Sequence, residues 1–348
     1  MDRHIIDQNA SLREALRMIN TLSGEVMTLF AVSADGVMTG TVTDGDIRRG
    51  ILGGHSLDSK VGDVMNRDFS ALRGSAIDVA EMRKCRRRGI KLLPQLNDDG
   101  TILRIIDMTR KPAILPLSAI LMAGGKGERL RPMTLKTPKP LLEIGGKPII
   151  DYNIEALAAV GIDDISVTVN YLAEQLEEHF SQPIAGVQVK CVRETEPLGT
   201  IGSASLIEHR EGGETIVMNS DLLTTVSFEE MYLRHHESGA DITIGAIPYN
   251  LSVPYAILTT EGGRVTALEE KPSYSYYANA GIYIISNRLL SSLPKEERVD
   301  ATDLIEQAIA SGCNVGYYPI DGTWIDIGSP TDFNHARELM RYRMVKQL

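Results

Sequence analysis

At 348 residues the chain is longer than one hydrophobic core readily serves, and two domains are expected. Its 43% hydrophobic and 24% charged residues are an ordinary globular mixture, and no run reaches the roughly 20 apolar residues that a membrane span needs. A net charge of −10 argues against non-specific nucleic-acid binding.

The start, Met1-Asp-Arg-His-Ile-Ile-Asp7, lacks the basic-then-apolar pattern of an export signal. A cytoplasmic protein is expected, with neither nucleic acid nor a membrane as partner. Cys85, Cys191 and Cys313 lie far apart without metal-ligand spacing and read as buried or incidental thiols. Residues 1–112 hold 17 Lys/Arg and 15 Asp/Glu, whereas residues 113–348 hold 19 and 31. This asymmetry puts a domain boundary near Lys111-Pro112, giving expected domains 1–112 and 113–348.

The first 112 residues contain an approximate repeat. Leu12 to Ile19 has helical apolar spacing; Thr28 to Val32 and Val37 to Val42 read as strands joined by Ser33-Ala-Asp-Gly36. The order then recurs, with a helix over Ala76 to Arg88, strands over Ile90 to Pro94 and Thr101 to Ile106, and a turn at Asn97-Asp-Asp-Gly100. Thr43-Asp-Gly-Asp46 follows the first strand pair. The arrangement resembles a cystathionine-β-synthase-type (CBS) motif pair, a small α+β tandem module. The resemblance implies that Thr43 and Asp46 hold the ribose of an adenine or guanine nucleotide. In the second copy Asp107 and Arg110 stand where Thr43 and Asp46 stand in the first, so at most one such site is complete. A purely structural dimerisation or spacer role is the other reading.

The apolar run Ala113 to Met122 is expected to be a buried strand. It empties into Gly124, Gly125 and Gly127, a turn that permits positive φ angles and brings bare N–H groups to a surface suited to phosphate. Arg129, Arg131, Lys136 and Lys139 add cationic donors. The spacing matches neither the Gly-Lys-Ser/Thr phosphate loop nor the dinucleotide fingerprint.

The full string, Leu121-Met-Ala-Gly-Gly-Lys-Gly-Glu-Arg-Leu-Arg-Pro-Met-Thr134 followed by Lys139-Pro-Leu141, resembles the signature of sugar-phosphate nucleotidyltransferases. The resemblance implies a mostly parallel, open, Rossmann-like (GT-A) α/β sheet. It also implies nucleotide contacts from Leu121, Ala123, Gly124, Gly125, Gly127 and Glu128. Glu128 replaces the family's usual Thr.

The remaining chain alternates strand and helix, with helices over Ile149 to Val160 and Leu172 to Phe180, and strands over Ile165 to Val169 and Val187 to Val192. Glu194-Thr-Glu-Pro-Leu-Gly-Thr200 then resembles the family's base loop, with a helix expected from Ser203. A carboxylate at Glu194 can accept from N1–H and N2–H of guanine, with Pro197, Gly199 and Thr200 beside the base. Thr215 to Asp221 reads as a buried strand ending in an acid, and Gly322-Thr-Trp-Ile-Asp-Ile-Gly328 places a second acid, Asp326, at another strand end. By resemblance Asp221 and Asp326 bind Mg²⁺; helix-capping or turn roles are the alternatives for each. Glu270 and Lys271, in Leu268-Glu-Glu-Lys-Pro272, together with Asn279 and Gly281, would hold the sugar phosphate; for the first two a surface salt bridge is the alternative. Met231 to His236 and Ser329 to Met344 read as helices.

The implied reaction joins a nucleoside triphosphate, GTP first, to a sugar 1-phosphate, glucosamine 1-phosphate first. Arg129, Lys139, Asp221 and Lys271 would be catalytic. A bacterial cytoplasmic homo-oligomer serving a surface or flagellar sugar is the implied setting. Uridylyl, thymidylyl or cytidylyl transfer to another hexose 1-phosphate, or a silent nucleotide-sensing subunit, are the alternatives.

Overall fold

The computed structural model describes residues 2–345 and divides into two compact units, Met1–Leu115 and Pro116–Leu348. In the first, β1 (Ile5–Asp7), α1 (Leu12–Thr21), β2 (Thr28–Val32), β3 (Met38–Thr43) and α2 (Asp44–Leu52) form one half. The other half is β4 (Leu72–Arg73), α3 (Val79–Arg87), β5 (Leu92–Leu96) and β6 (Ile102–Asp107). Each half is a three-stranded sheet, β1-β2-β3 or β4-β5-β6, whose first pair is parallel and second antiparallel.

The repeat extends to register. Thr28 pairs Thr43 and Val32 pairs Met38, while Leu92 pairs Asp107 and Leu96 pairs Ile102, with a bulge before the last pair in both copies. Buried Phe30 and Met38 of one copy meet Leu92 and Leu96 of the other, so the repeats share an apolar seam. Helix α3 starts three residues later than expected because the Asp78 carboxylate caps it by accepting from the Glu81 N–H at 2.9 Å.

The second unit is built on a seven-stranded sheet. Its elements are β7 (Ser118–Met122), a short hairpin β8 (Glu143–Ile144) and β9 (Lys147–Pro148), α4 (Ile149–Ala159), β10 (Ile165–Val169), α5 (Ala173–His179), β11 (Lys190–Arg193), β12 (Glu214–Asn219), β13 (Leu222–Thr224), α6 (Phe228–Ser238), β14 (Ile242–Ser252), β15 (Ile257–Glu261), β16 (Arg264–Glu269), β17 (Ser273–Ser286), α7 (Asn287–Ser291), α8 (Ala301–Ala310), β18 (Val315–Pro319), β19 (Trp324–Asp326) and α9 (Pro330–Val345). The order is β11-β10-β7-β12-β17-β14-β18, and only β17 runs against the others. From β7 the chain winds outward to β10 and β11, then returns to β12 on the other side. The ends of β7, β10, β11 and β12 therefore meet at a topological switch point, where open α/β sheets bind ligands.

Several expected elements are shorter than their apolar runs. The strand expected from Ala113 begins only at Ser118, because Pro112 and Pro116 supply no N–H and Ile114 packs on the N-terminal core. The strand expected from Val187 begins at Lys190, because Val187 is bonded back to Ile184 in a tight turn. The helix expected from Ser203 is a single 3-10 turn, Gly202–Leu206. Among the described residues no helix is long and apolar enough to cross a membrane. Cys85 is buried, Cys191 and Cys313 are half-buried, and all three are free thiols.

The seam between the repeats carries a testable consequence. Phe30→Ala should destabilise the N-terminal unit by about 3–5 kcal/mol. Hydrogen exchange should show protection lost across β2, β3, β5 and β6; unchanged protection of β5 and β6 would mean the two halves do not share a core.

Candidate functional site

The glycine loop leaves β7 with the Ala123 N–H donated to the Thr168 carbonyl at 2.9 Å, so it starts fixed to β10. Gly127 adopts φ +57°, and a Cβ there would meet Thr134 and Lys139 side-chain carbons at 3.0 and 3.1 Å. Gly124 excludes a side chain for another reason, since its Cβ would lie 2.8 Å from Glu194 Oε1. Gly125 has open space where a side chain would stand, leaving its backbone bare between two recesses of 380 Å³ each.

The first recess is lined by Ala123, Gly125, Gly127, Glu128, Arg129, Lys139, Ser220, Asp221 and Gly328. The second is lined by Gly124, Gly125, Glu194, Pro197, Gly199, Thr200, Asn219, Asp221 and Arg298. Met122, Gly125 and Asp221 belong to both, so the recesses are two ends of one cleft.

Asp221 sits in the turn between β12 and β13. The Ser220 hydroxyl donates to the Met122 carbonyl at 2.6 Å, and Asn153 of α4 donates to the Leu222 carbonyl at 3.0 Å. Antiparallel pairing sets Leu222 opposite Asp326, and the Ile327 N–H donates to the Asp221 carbonyl at 3.2 Å. The two acids are thus placed side by side by backbone. Lys139 bonds Asp221 Oδ2 and stands 3.8 Å from Asp326 Oδ1. Asp221 Oδ1 is buried and has no hydrogen-bond partner.

Burial and then the neighbouring Asp221 charge push the Asp326 carboxyl above its ordinary value, against the pull of Lys139 and Arg129. Arg129 lies across Gly328, its Nη2 2.9 Å from where a Cβ would stand. An incompletely neutralised acid pair with an orphaned oxygen suits a divalent cation. Among the described residues no three His, Cys, Asp or Glu gather at a metal-binding spacing, so a cation here would take two protein carboxylates and other oxygens.

Glu194 is 6% exposed and its Oε2 accepts from the Leu198 N–H at 3.1 Å. Burial raises its carboxyl from the ordinary value, partly offset by that bond. Glu128 is exposed and pairs with Arg131 at 3.3 Å.

Not every residue singled out in the sequence lines the cleft. Leu121 is fully buried in the middle of β7, paired with Val167 and Met218, so no nucleotide contact falls to its side chain. Glu270 and Lys271 are exposed, follow the end of β16, and line neither recess; Lys271 has φ +46°. Asn279 Oδ1 accepts from the Gly281 N–H at 2.9 Å, and Gly281 lies against Asn219. Thr43 and Asp46 cap α2: the Thr43 N–H and hydroxyl both donate to Asp46 Oδ2, at 2.8 and 2.6 Å, and Arg49 takes Oδ1. The carboxylate expected to meet a ribose is engaged within its own helix. Asn219, Ser220 and Arg298 line the cleft without having been singled out.

The family described as nucleotidyl transferase matches residues 118–342, and the chain belongs to it. Mannose-1-phosphate guanylyltransferase 1 of Arabidopsis thaliana is 32% identical over 228 residues, covering 62% of this chain and 63% of that protein. Mannose-1-phosphate guanyltransferase of Yarrowia lipolytica is 32% identical over 226 residues, covering 62% of each. The chain thus spans less than two thirds of the length of these curated relatives. The crystal structure of HddC from Yersinia pseudotuberculosis shares the fold, with a TM-score of 0.51 at 24% identity over 64% of this chain and 99% of that one.

The raised Asp326 carboxyl has a sign that can be tested. Its neutral form is favoured in the folded state, so ionisation opposes folding at neutral pH, and acidification through the raised value towards the ordinary one relieves that opposition. Asp326→Asn should therefore raise the unfolding midpoint of metal-free protein at pH 7, and the gain should vanish below the ordinary carboxylate range. An equal gain at every pH would refute the electrostatic origin.

Proposed function

We propose that the chain transfers a nucleotidyl group from a nucleoside triphosphate to a sugar 1-phosphate, with Mg²⁺ held by Asp221 and Asp326. The observation that carries the reading is the triad at the strand ends, in which Lys139 faces both carboxylates beside the bare Gly125 backbone. The new bond joins a phosphate oxygen of the sugar 1-phosphate to the α-phosphorus. The bond broken is that from the α-phosphorus to the leaving pyrophosphate. The attacking oxygen is already ionised, so no general base is required, and positioning with charge neutralisation supplies the catalysis.

Each group would have its own task in the transfer. The N–H groups of Gly124 to Gly127 and the fork of Arg129 would receive the β- and γ-phosphates. Lys139, poised among acids, would follow the α-phosphate as its charge redistributes. Bound Mg²⁺ would supply Lewis-acid neutralisation of the phosphate oxygens. Lys271 and Glu270 are assigned to the sugar phosphate on the family resemblance alone. Glu194, Pro197, Gly199 and Thr200 would surround the base, and the guanylyltransferase names of the relatives favour GTP. Those names point to mannose 1-phosphate, whereas the two-part architecture read from the sequence points to glucosamine 1-phosphate.

For the N-terminal unit the proposal is a purine-nucleotide cleft in a CBS-type pair. A recess of 340 Å³ there combines Phe30 and Phe69 with Thr28, Thr41, Arg88 and Lys91, a mixture of apolar walls and anion donors; Thr43 and Asp46 do not line it. AMP titrated into the full chain should bind and should weaken at least tenfold with Arg88→Ala. Absence of AMP and GMP binding would leave the unit a spacer.

The transferase reading is tested by pyrophosphate release with Mg²⁺ across GTP, UTP, CTP, ATP and dTTP against glucosamine, N-acetylglucosamine, mannose and glucose 1-phosphates. Release should be confined to GTP with one sugar, and Asp221→Asn should lower turnover by several orders of magnitude with the fold intact. Silence across the grid from folded protein would favour a nucleotide sensor. Undiminished turnover in the Asn variant would remove the metal assignment.

A further inference from the structure

We infer that Arg298 reads the nucleotide base and, with Glu194, makes the second recess selective for guanine. The inference rests on the transferase reading above and names the source of its nucleotide specificity. Of the charged side chains lining that recess, Asp221 is bonded to Lys139, which leaves Glu194 and Arg298.

Their chemistry is complementary to one base. Glu194 spends Oε2 on the Leu198 N–H, and Oε1 faces the bare Cα of Gly124. A carboxylate has about four lone-pair sites, so beyond Leu198 and the nearby Ser203 hydroxyl it retains acceptor capacity in a place where water has little access, the side chain being 6% exposed. A guanidinium fork is suited to two adjacent acceptors. Guanine alone among the common bases offers a pair of donors, N1–H and N2–H, on one edge and a pair of acceptors, O6 and N7, on the neighbouring one. Adenine sets an amino donor beside N7, which repels the fork. Pyrimidines have no N7 and no such donor pair.

Arg298 is also fixed to the loop that would hold the base. The Val299 N–H donates to the Leu198 carbonyl at 3.0 Å, and the Ile201 and Gly202 N–H groups both donate to the Val299 carbonyl at 3.1 Å. This close approach needs glycine twice: a Cβ on Gly199 would lie 2.5 Å from the Val299 carbonyl oxygen, and one on Gly202 2.6 Å from that of Glu297. Asp300 then clamps both partners. Its Oδ1 accepts from the Thr200 N–H at 3.0 Å, while its Oδ2 stands 3.5 Å from an Arg298 nitrogen. The Arg298 side chain is 74% exposed, and its ion pair with Asp300 ties it to the bracing of the base loop itself. A guanidinium mounted in this way moves with the base loop and meets the base at an edge.

The test is equilibrium titration of GTP, ATP and UTP into the full chain, for wild type, Arg298→Ala and Arg298→Lys, alongside steady-state kinetics with GTP. Arg298→Ala should weaken GTP by about tenfold to a hundredfold, the range for one bidentate base contact, and leave ATP and UTP within twofold. KM for GTP should rise while kcat stays within a few fold, and Arg298→Lys should not restore discrimination, because one ammonium cannot bridge two acceptors. Equal weakening of all three nucleotides with rescue by lysine would assign Arg298 to phosphate and overturn the inference. So would unchanged preference for GTP in the alanine variant. Wild type that binds GTP without releasing pyrophosphate would sink the catalytic reading alone, with the base inference still decided by the titration. Wild type that binds none of the three would sink both.

Discussion

The cleft depends on one unfavourable arrangement, two carboxylates held side by side by backbone. Asp221 and Asp326 are 105 positions apart in sequence, yet the β13–β19 pairing and the Ile327 N–H leave neither free to withdraw. Burial first, and then the like charge of Asp221, raise the cost of ionising Asp326. Lys139 relieves part of that cost but reaches the two acids unequally, bonded to one and 3.8 Å from the other. What remains is electrostatic, and positive charge added where Asp221 Oδ1 lacks a partner would offset it.

The same economy of space governs the glycines of the cleft. Gly124 is required by Glu194, Gly127 by Lys139 and Thr134, and Gly328 by Arg129, so each glycine there yields its side-chain volume to a charged or polar neighbour. Gly125 yields its volume to no protein atom. A loop whose glycines were merely flexible would show no such division. Here three glycines make room for the site's own side chains and the fourth leaves backbone exposed between the recesses, where an anion could approach.

How much of this could be read from sequence depended on whether the signal was local. The glycine string, the acid at the end of β12 and the Trp-Ile-Asp strand are local patterns, and the structure places Arg129, Lys139, Asp221 and Asp326 around one cleft. The N-terminal repeat was legible because apolar alternation and turn residues recur at matching intervals, and the strand registers recur with them. Arg298 was not legible. Nothing in Glu296-Glu297-Arg298-Val299 announces a cleft, and its place comes from contacts made across about 100 residues to Leu198 and Thr200. Thr43 and Asp46 carry a pattern with two readings. A Thr-x-x-Asp pattern is also a capping box, and in this chain the helix terminus takes both side chains. The ribbon β15–β16 was missed although Gly262-Gly263, both at positive φ, is a hairpin signal; its flanking strands are exposed throughout and lack the apolar alternation that would mark them.

Leu121 shows why a family signature and a contact surface differ. The strand carrying the signature must be buried on both faces to stand at the centre of the sheet, and Leu121 is paired on either side with Val167 and Met218. Its value to the cleft is therefore rigidity, because it fixes the point where the backbone can first turn outward. That point is Ala123, tied to Thr168, and the bare amides begin one residue later. The order along the chain, buried apolar residues, an anchored turn, then glycine, converts core packing directly into the position of the bare glycine backbone. A substitution that loosens the core at Leu121 would act on the cleft through that backbone, with no side chain of the cleft itself altered.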